Sequence, residues 1–209
     1  MILILLGAPG SGKGTQAAMA AQKLAVPVIS TGDILRAAIR EQTPIGVKAK
    51  ACVDSGKLVP DEIVAEALKQ RLEDADCQNG YILDGFPRTI PQAELLERLH
   101  ISPEVALSIE VPDSDIENRM AGRRVCPACN AVFHKMNRPP KQEGVCDVCG
   151  AGLIRRADDE PETVRERLRV YHEQSEPLKG FYERLGRLKT VVGTGGVEEI
   201  NRRIMEALA

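Results

Sequence analysis

The chain begins with an almost unbroken apolar run, Ile2–Leu6, that ends in Gly7. Such a run is the pattern of a strand buried on both faces, because neither face has a polar position to show to water. The same pattern returns at Val26–Ser30, Tyr81–Asp84, Ala106–Val111 and Lys189–Val192. Between these runs lie longer, helix-like stretches such as Lys13–Leu24 and Asp61–Glu73. Strands that alternate with helices predict an α/β class protein, with a doubly wound parallel five-stranded sheet covered by helices. Two segments interrupt the alternation. Residues 30–59 read as a small helical insert between the second and third strands. Residues 122–159 change character, with two Cys-x-x-Cys pairs, Arg138-Pro139-Pro140, several glycines and little helical period. The expected organisation is a core of residues 1–29, 60–121 and 160–209, carrying the insert and this second small module.

Composition narrows the function classes. The chain has 209 residues, a formal net charge of −2 and 3% aromatic residues with no Trp. A single-stranded nucleic-acid platform relies on aromatic faces and a basic surplus, and neither is present overall. The first apolar run is short, lacks a basic flank and ends in glycines, so it fits neither an export signal nor a membrane span. With six cysteines and no export signal, reduced thiols and a cytoplasmic location are expected.

Candidate chemistry starts at Gly7-Ala8-Pro9-Gly10-Ser11-Gly12-Lys13-Gly14-Thr15, which leaves the first strand and opens a helix. Glycines let successive backbone N–H groups turn inward around an anion, and the helix N-terminus adds partial positive charge. Lys13 supplies a full charge for the β and γ phosphates of a nucleoside triphosphate. One departure stands out. The usual pattern has Ser or Thr directly after the lysine, as a Mg²⁺ ligand, and here Gly14 intervenes before Thr15. Asp84 ends the third strand, where parallel sheets collect their ligands, and is placed to hold Mg²⁺ directly or through water. Arg88 follows Pro87, so its guanidinium starts from a rigid base suited to phosphate.

The segments GAPGSGKGT, STGDILR at 30–36, DGFPRT at 84–89, GRR at 122–124 and RRADD at 155–159 together resemble the adenylate kinase family, in its order and spacing and over nearly the whole chain. The resemblance implies a P-loop core, an AMP-binding insert at 30–59 and a lid at 122–159. It implies an ATP site made by Gly10, Ser11, Gly12, Lys13, Gly14, Thr15, Arg119, Arg123, Val132, Phe133 and Gly195. It places AMP against Thr31, Arg36, Lys57, Leu58, Val59, Gly85, Phe86, Pro87, Arg88, Gln92, Arg156 and Arg167. Thr31 and Gln92 would read the adenine edge, and Lys13, Arg88, Arg123, Arg156 and Arg167 would serve the transfer itself. The family often has a Lys close to Thr194–Gly196. Only glycines stand there here, so a backbone contact to the ATP base is expected.

Helical phase agrees for some of these arginines. In Asp113–Arg124, Ile116 and Met120 mark one face, and Arg119 and Arg123 each lie three residues beyond one of them. In Pro161–Ser175, Arg167 lies three after Val164 and four before Tyr171, within the apolar stripe, where a guanidinium needs an anion. Asp158 and Asp159 are candidate partners when nucleotide is absent. For Arg36, a solvated helix charge beside Arg40 is the alternative.

Cys126-x-x-Cys129 and Cys146-x-x-Cys149, sixteen residues apart, match a tetrahedral Cys₄ zinc site. Four protein ligands leave no open position, so the expected role is structural. His134 is a spare ligand that four cysteines make unnecessary, and Cys52 and Cys77 read as small buried side chains. The expected activity is reversible transfer from MgATP to AMP in a closed Lys/Arg-lined cleft, giving two ADP. The expected protein is a monomer that engages neither nucleic acid nor membrane. A kinase for UMP or CMP and a zinc-ribbon nucleic-acid-binding ATPase are the competing readings.

Overall fold

A computed structural model describes residues 1–209. Five parallel strands form the central sheet in the order β2-β3-β1-β4-β7: β1 (Ile2–Leu6), β2 (Val28–Ser30), β3 (Tyr81–Asp84), β4 (Val105–Glu110) and β7 (Leu188–Val192). Alternate side chains of β1 enter opposite cores. Ile4 and Leu6 join Ile29, Leu83, Phe86 and Leu96 on one face, while Leu3 and Leu5 join Ala17, Ile82, Leu107 and Ile200 on the other. With both faces covered, every position of the strand can be apolar. Truncating a fully buried residue such as Leu3 to Ala costs about 2–5 kcal/mol.

The sheet is wrapped by α1 (Lys13–Leu24), α4 (Asp61–Leu72), α5 (Ile90–Arg98), α6 (Asp113–Gly122), α7 (Pro161–Val170), α8 (Leu178–Arg184) and α9 (Val197–Leu208). Within the insert, α2 (Thr31–Arg40) and α3 (Pro44–Ser55) pack on each other. Their starts are encoded locally. Ser30 accepts the Asp33 N–H at 3.3 Å and Thr43 accepts the Gly46 N–H at 3.2 Å, with Pro44 opening the helix.

The segment after α6 forms an antiparallel hairpin, β5 (Arg123–Val125) with β6 (Val132–His134), extended by single bridges at Val125–Ile154 and Val145–Gly152. Its core is small: Cys126, Phe133 and Cys146, with Ala131, Ala151 and Leu153 against them.

Most boundaries shift by no more than two residues, β2 starting at Val28 and β4 running Val105–Glu110, and two helix ends differ in kind from the sequence pattern. The helix expected to run to Arg124 stops at Gly122, because Arg123 turns extended (φ −65°, ψ 138°) to pair with His134 in the hairpin. The helix expected over Pro161–Ser175 changes to a π turn at Tyr171–Ser175. The wider turn shifts the phase of everything after it.

Candidate active site

The phosphate loop is shaped by β1 below and α1 beyond. Gly7 leaves the strand at φ +135°, and a Cβ there would meet the Ile109 carbonyl oxygen at 2.7 Å, so only glycine fits. The helix α1 starts at Gly12 with no side-chain cap, which leaves its first N–H groups free for an anion. Ser11 is 1% exposed, and its hydroxyl has no hydrogen-bond partner in the chain. A buried hydroxyl without a partner in the loop before α1 is a polar group that an anion could satisfy. Lys13 Nζ meanwhile donates to the carbonyls of Gly7 at 2.7 Å and Ala8 at 2.8 Å. Burial lowers its pKa to about 8; Asp84 opposes that shift, and Arg88, Arg167 and Arg123 add to it.

Asp84 and Gly14 face each other: a Cβ on residue 14 would lie 3.5 Å from Asp84 Oδ2. Glycine in the place of the usual hydroxyl residue therefore keeps open the space before this carboxylate. An oxygen ligand at a strand C-terminus beside a phosphate loop suits a hard cation such as Mg²⁺.

The loop opens into a cavity of about 430 Å³. Nine cationic side chains line it (Lys13, Arg36, Arg88, Arg119, Arg123, Arg138, Arg156, Arg167 and Lys179), against the carboxylates of Asp33 and Asp84. Nine of the 28 basic side chains of a chain of net charge −2 thus meet in one cleft. Burial comes first in lowering the pKa values of Arg88, Arg156 and Arg167, and neighbouring guanidiniums lower them further: Arg36 for Arg88 and Arg156, Arg123 for Arg156 and Arg167. Guanidiniums stay charged under such pressure. The repulsion is what a polyanion would relieve.

Carboxylates from the turn just before α7 hold the cluster. Arg123 Nε donates to Asp159 at 2.8 Å, and Arg167 donates to Asp158 Oδ2 at 2.8 Å and lies 3.6 Å from Asp159. Asp159 is 1% exposed, so these guanidiniums take the place of water around its carboxylate. Asp33, which the sequence reading passed over, lies between Arg36 at 2.6 Å and Arg156 at 3.7 Å. The i,i+3 spacing of Asp33 and Arg36 on α2 was the available signal, and Arg36 pairs there rather than standing as a solvated charge beside Arg40. The Arg40 guanidinium instead reaches the Pro127 carbonyl of the cysteine module at 3.0 Å.

A second cavity of about 60 Å³ adjoins the first, and Arg36, Leu58, Gly85, Arg88 and Arg167 line both. Thr31, Lys57, Val59 and Gln92 also line it, together with apolar side chains of the insert and the carboxylate of Asp158. Gln92 is locked in orientation, its Oε1 accepting from the Arg88 N–H at 2.7 Å and its Nε2 donating to Asp61 at 2.5 Å. Asp61 had no distinguishing sequence signal, since a carboxylate in a helix's first turn is common. Thr31 Oγ1 donates to the Gly85 carbonyl at 2.9 Å. Pro87 lines the larger cavity, whereas Phe86 lines neither, its ring packed in the core at 2% exposure. On the opposite side Thr15, Arg119, Val132, Phe133 and Gly195 line the larger cavity.

The four cysteines converge. Their Sγ atoms all lie within 4.8 Å of one another, with Cys126–Cys149 at 3.3 Å and Cys129–Cys146 at 3.6 Å. Disulfides would need about 2.05 Å. Tetrahedral zinc with ~2.3 Å bonds sets its sulfurs about 3.8 Å apart, so this donor set fits zinc. His134 is not part of the cluster: its Nδ1 accepts the N–H groups of Met136 at 3.1 Å and Asn137 at 3.0 Å.

A phosphate loop at the head of a parallel sheet, opening into an arginine-lined cleft with a second cavity attached, defines a P-loop nucleotide-binding protein of the phosphotransferase class. Residues 5–187 match the family model described as adenylate kinase. Relatives named adenylate kinase from Ruminiclostridium cellulolyticum, Lachnospira eligens and Caldicellulosiruptor saccharolyticus are 54%, 52% and 52% identical to this chain. Each alignment covers 100% of the chain and at least 99% of the relative. The chain belongs to the adenylate kinase family.

Proposed function

We propose that the chain catalyses reversible phosphoryl transfer from MgATP to AMP, giving two ADP, and so balances adenine nucleotides. The observation that carries this reading is the pair of adjoining cavities that meet at Arg36, Arg88 and Arg167, one opening from the phosphate loop and one bounded by the insert. ATP occupies the first, with its phosphates on the N–H groups of residues 10–15, Lys13 and Arg123, and its base toward Arg119, Val132, Phe133 and Gly195. AMP occupies the second, with its phosphate on Arg36, Arg88, Arg156 and Arg167 where the two cavities meet, Lys57–Val59 and Gly85 around it, and its base toward Thr31 and Gln92; Phe86 serves only by packing beneath this turn. After its two bonds to Arg88 and Asp61, the Gln92 amide keeps one N–H and one lone pair. That pair of groups suits the adenine edge.

Phosphoryl transfer spreads negative charge over the equatorial oxygens of a loose transition state, so alignment and electrostatic stabilisation supply the catalysis. The nucleophile is the ionised phosphate of AMP, which needs no general base. Lys13, Arg88, Arg123, Arg156 and Arg167 surround donor, acceptor and the group in transit. Asp84 would hold Mg²⁺, which when bound would offset phosphate charge. Residues 122–159 act as a lid that shuts out water, held rigid by structural zinc on Cys126, Cys129, Cys146 and Cys149. No helix is long and apolar enough to cross a membrane; we place the protein in the cytoplasm, as a monomer.

Transfer from ATP to AMP, UMP, CMP and GMP tests the assignment. AMP is the expected acceptor, and a preference for UMP or CMP would overturn it. Arg88→Ala should lower kcat by about 10²–10³-fold with the fold intact, the cost of losing one preorganised donor. Near-normal turnover would remove Arg88 from the site.

A further inference from the structure

The turn between β7 and α9 is held from outside the cavity it lines. Arg203 Nη1 donates to the carbonyls of Thr194 at 2.8 Å and Val192 at 3.0 Å, and its Nη2 pairs with Glu199 one helical turn back. Two other side chains take the neighbouring carbonyls: Arg119 that of Gly193 at 2.8 Å, and Gln16 that of Val197 at 3.0 Å. Gln16 is fixed in turn by Asn201 at 3.2 Å, and both are almost fully buried. Gly196 accepts the Ile200 N–H. Gly195 alone has neither its N–H nor its carbonyl committed within the chain, and it lines the cavity. It sits at φ +110°, and a Cβ there would meet the Glu199 carboxylate at 2.6 Å. The Glu199–Arg203 pair thus fills the space that a side chain on residue 195 would need.

We propose that Arg203, with Glu199, is a positioning residue for the base of the phosphate-donor nucleotide: by fixing the Val192 and Thr194 carbonyls it aims the free Gly195 backbone at that base and favours adenine over guanine. The inference rests on the reading that the ATP base lies at this turn. A carbonyl oxygen accepts from the exocyclic amine of adenine and repels the O6 carbonyl of guanine at the corresponding position. That discrimination depends on where the carbonyl points. A bare glycine turn would let it swing, and one guanidinium spanning two carbonyls prevents this. Arg203 itself does not line the cavity, so its effect is carried through the backbone.

ATP and GTP would be compared as donors, with AMP as acceptor, in the full chain and in Arg203→Ala, Arg203→Lys and Gly196→Leu. Arg203→Ala should raise KM for ATP by about fivefold, below the full cost of its charged hydrogen bonds because the effect is indirect. It should narrow the preference for ATP over GTP, and leave KM for AMP and the melting temperature near their original values. Arg203→Lys should restore only part, since one ammonium lacks the planar fork. Unchanged KM for ATP and an unchanged ATP:GTP ratio in Arg203→Ala, or an equal rise in KM for ATP and AMP, would overturn the proposal. Gly196 lines the cavity and a Cβ there meets nothing within 4 Å, so Gly196→Leu is expected to fold and to narrow the cavity beside the base. If it leaves KM for ATP alone, the placement of the base is itself wrong. If it raises KM for ATP while Arg203→Ala is silent, the placement stands and only the positioning role fails.

Discussion

Lys13 shows how one side chain links the phosphate loop to pH. In the ligand-free cleft its ammonium is stripped of water and faces three guanidiniums, with Asp84 as its opposing charge, and its pKa falls from the ordinary 10.5 to about 8. A polyphosphate stabilises the protonated form and draws the pKa back up. ATP binding above pH 8 should therefore take up a proton, and affinity should fall toward a limit of about tenfold per pH unit. Titration calorimetry at pH 8.5 in two buffers of different ionisation enthalpy would measure the uptake. Affinity that stays constant from pH 7 to 9.5 would mean that Lys13 does not meet phosphate. Folding follows the opposite sign. Between about 8 and 10.5 the unfolded chain binds this proton more tightly than the native one, so raising pH through that window stabilises the ligand-free fold. Lys13, Arg88 and the glycines around them were legible in the sequence because each residue type has few other uses at such spacings. Asp33 and Asp61 were not, since a carboxylate near a helix start reads as a dipole partner until the chain brings Arg156 or Gln92 beside it.

At the scale of elements, legibility followed the strength of the local pattern. The strand Ile2–Leu6 and the helix Lys13–Leu24 lie where their apolar runs and flanking glycines put them. Helix ends at the cysteine module were less visible, because Arg123 is helical by period but extended by its pairing with His134, a partner that sequence alone does not reveal. The π turn at Tyr171–Ser175 likewise left no local signal. The module illustrates a further limit on short segments. Three buried residues are a small core for a hairpin of this size, and the zinc proposed for the four cysteines would supply most of its order. Cys146 is 2% exposed, and Ser at that position keeps the volume while removing a thiolate ligand. Cys146→Ser should lose the bound zinc and lower the melting temperature by about 4–8 °C, as a loss of ~2 kcal/mol would in a chain of this length. Turnover below the transition should change far less. Calorimetry beside metal analysis would decide, and metal-free protein that melts like the parent would refute the structural role.

For the whole molecule the problem is electrostatic: a cleft dense enough in positive charge to align two nucleotides has to remain folded without them. Asp158 and Asp159 supply the solution, standing beside Arg123 and Arg167 in the turn just before α7. Removing the charge of Asp159 leaves both guanidiniums under-neutralised and half-buried. Breaking a buried pair in this way costs about 3 kcal/mol, or about 6–12 °C in melting temperature for a chain of this size. The ligand-free Asp159→Asn variant should show that deficit. A two-headed ATP–AMP mimic, two adenosines joined by a polyphosphate, brings replacement anions to the same guanidiniums. Saturation with it should therefore shift the melting point of the variant further than that of the parent and close most of the gap. The comparison separates two roles that a single mutation confounds. If Asp159 only braces the lid junction, the mimic will stabilise both proteins equally and the deficit will persist in full. If the arginines exchange carboxylate for phosphate on binding, the loss belongs to the empty cleft, and ligand will erase it.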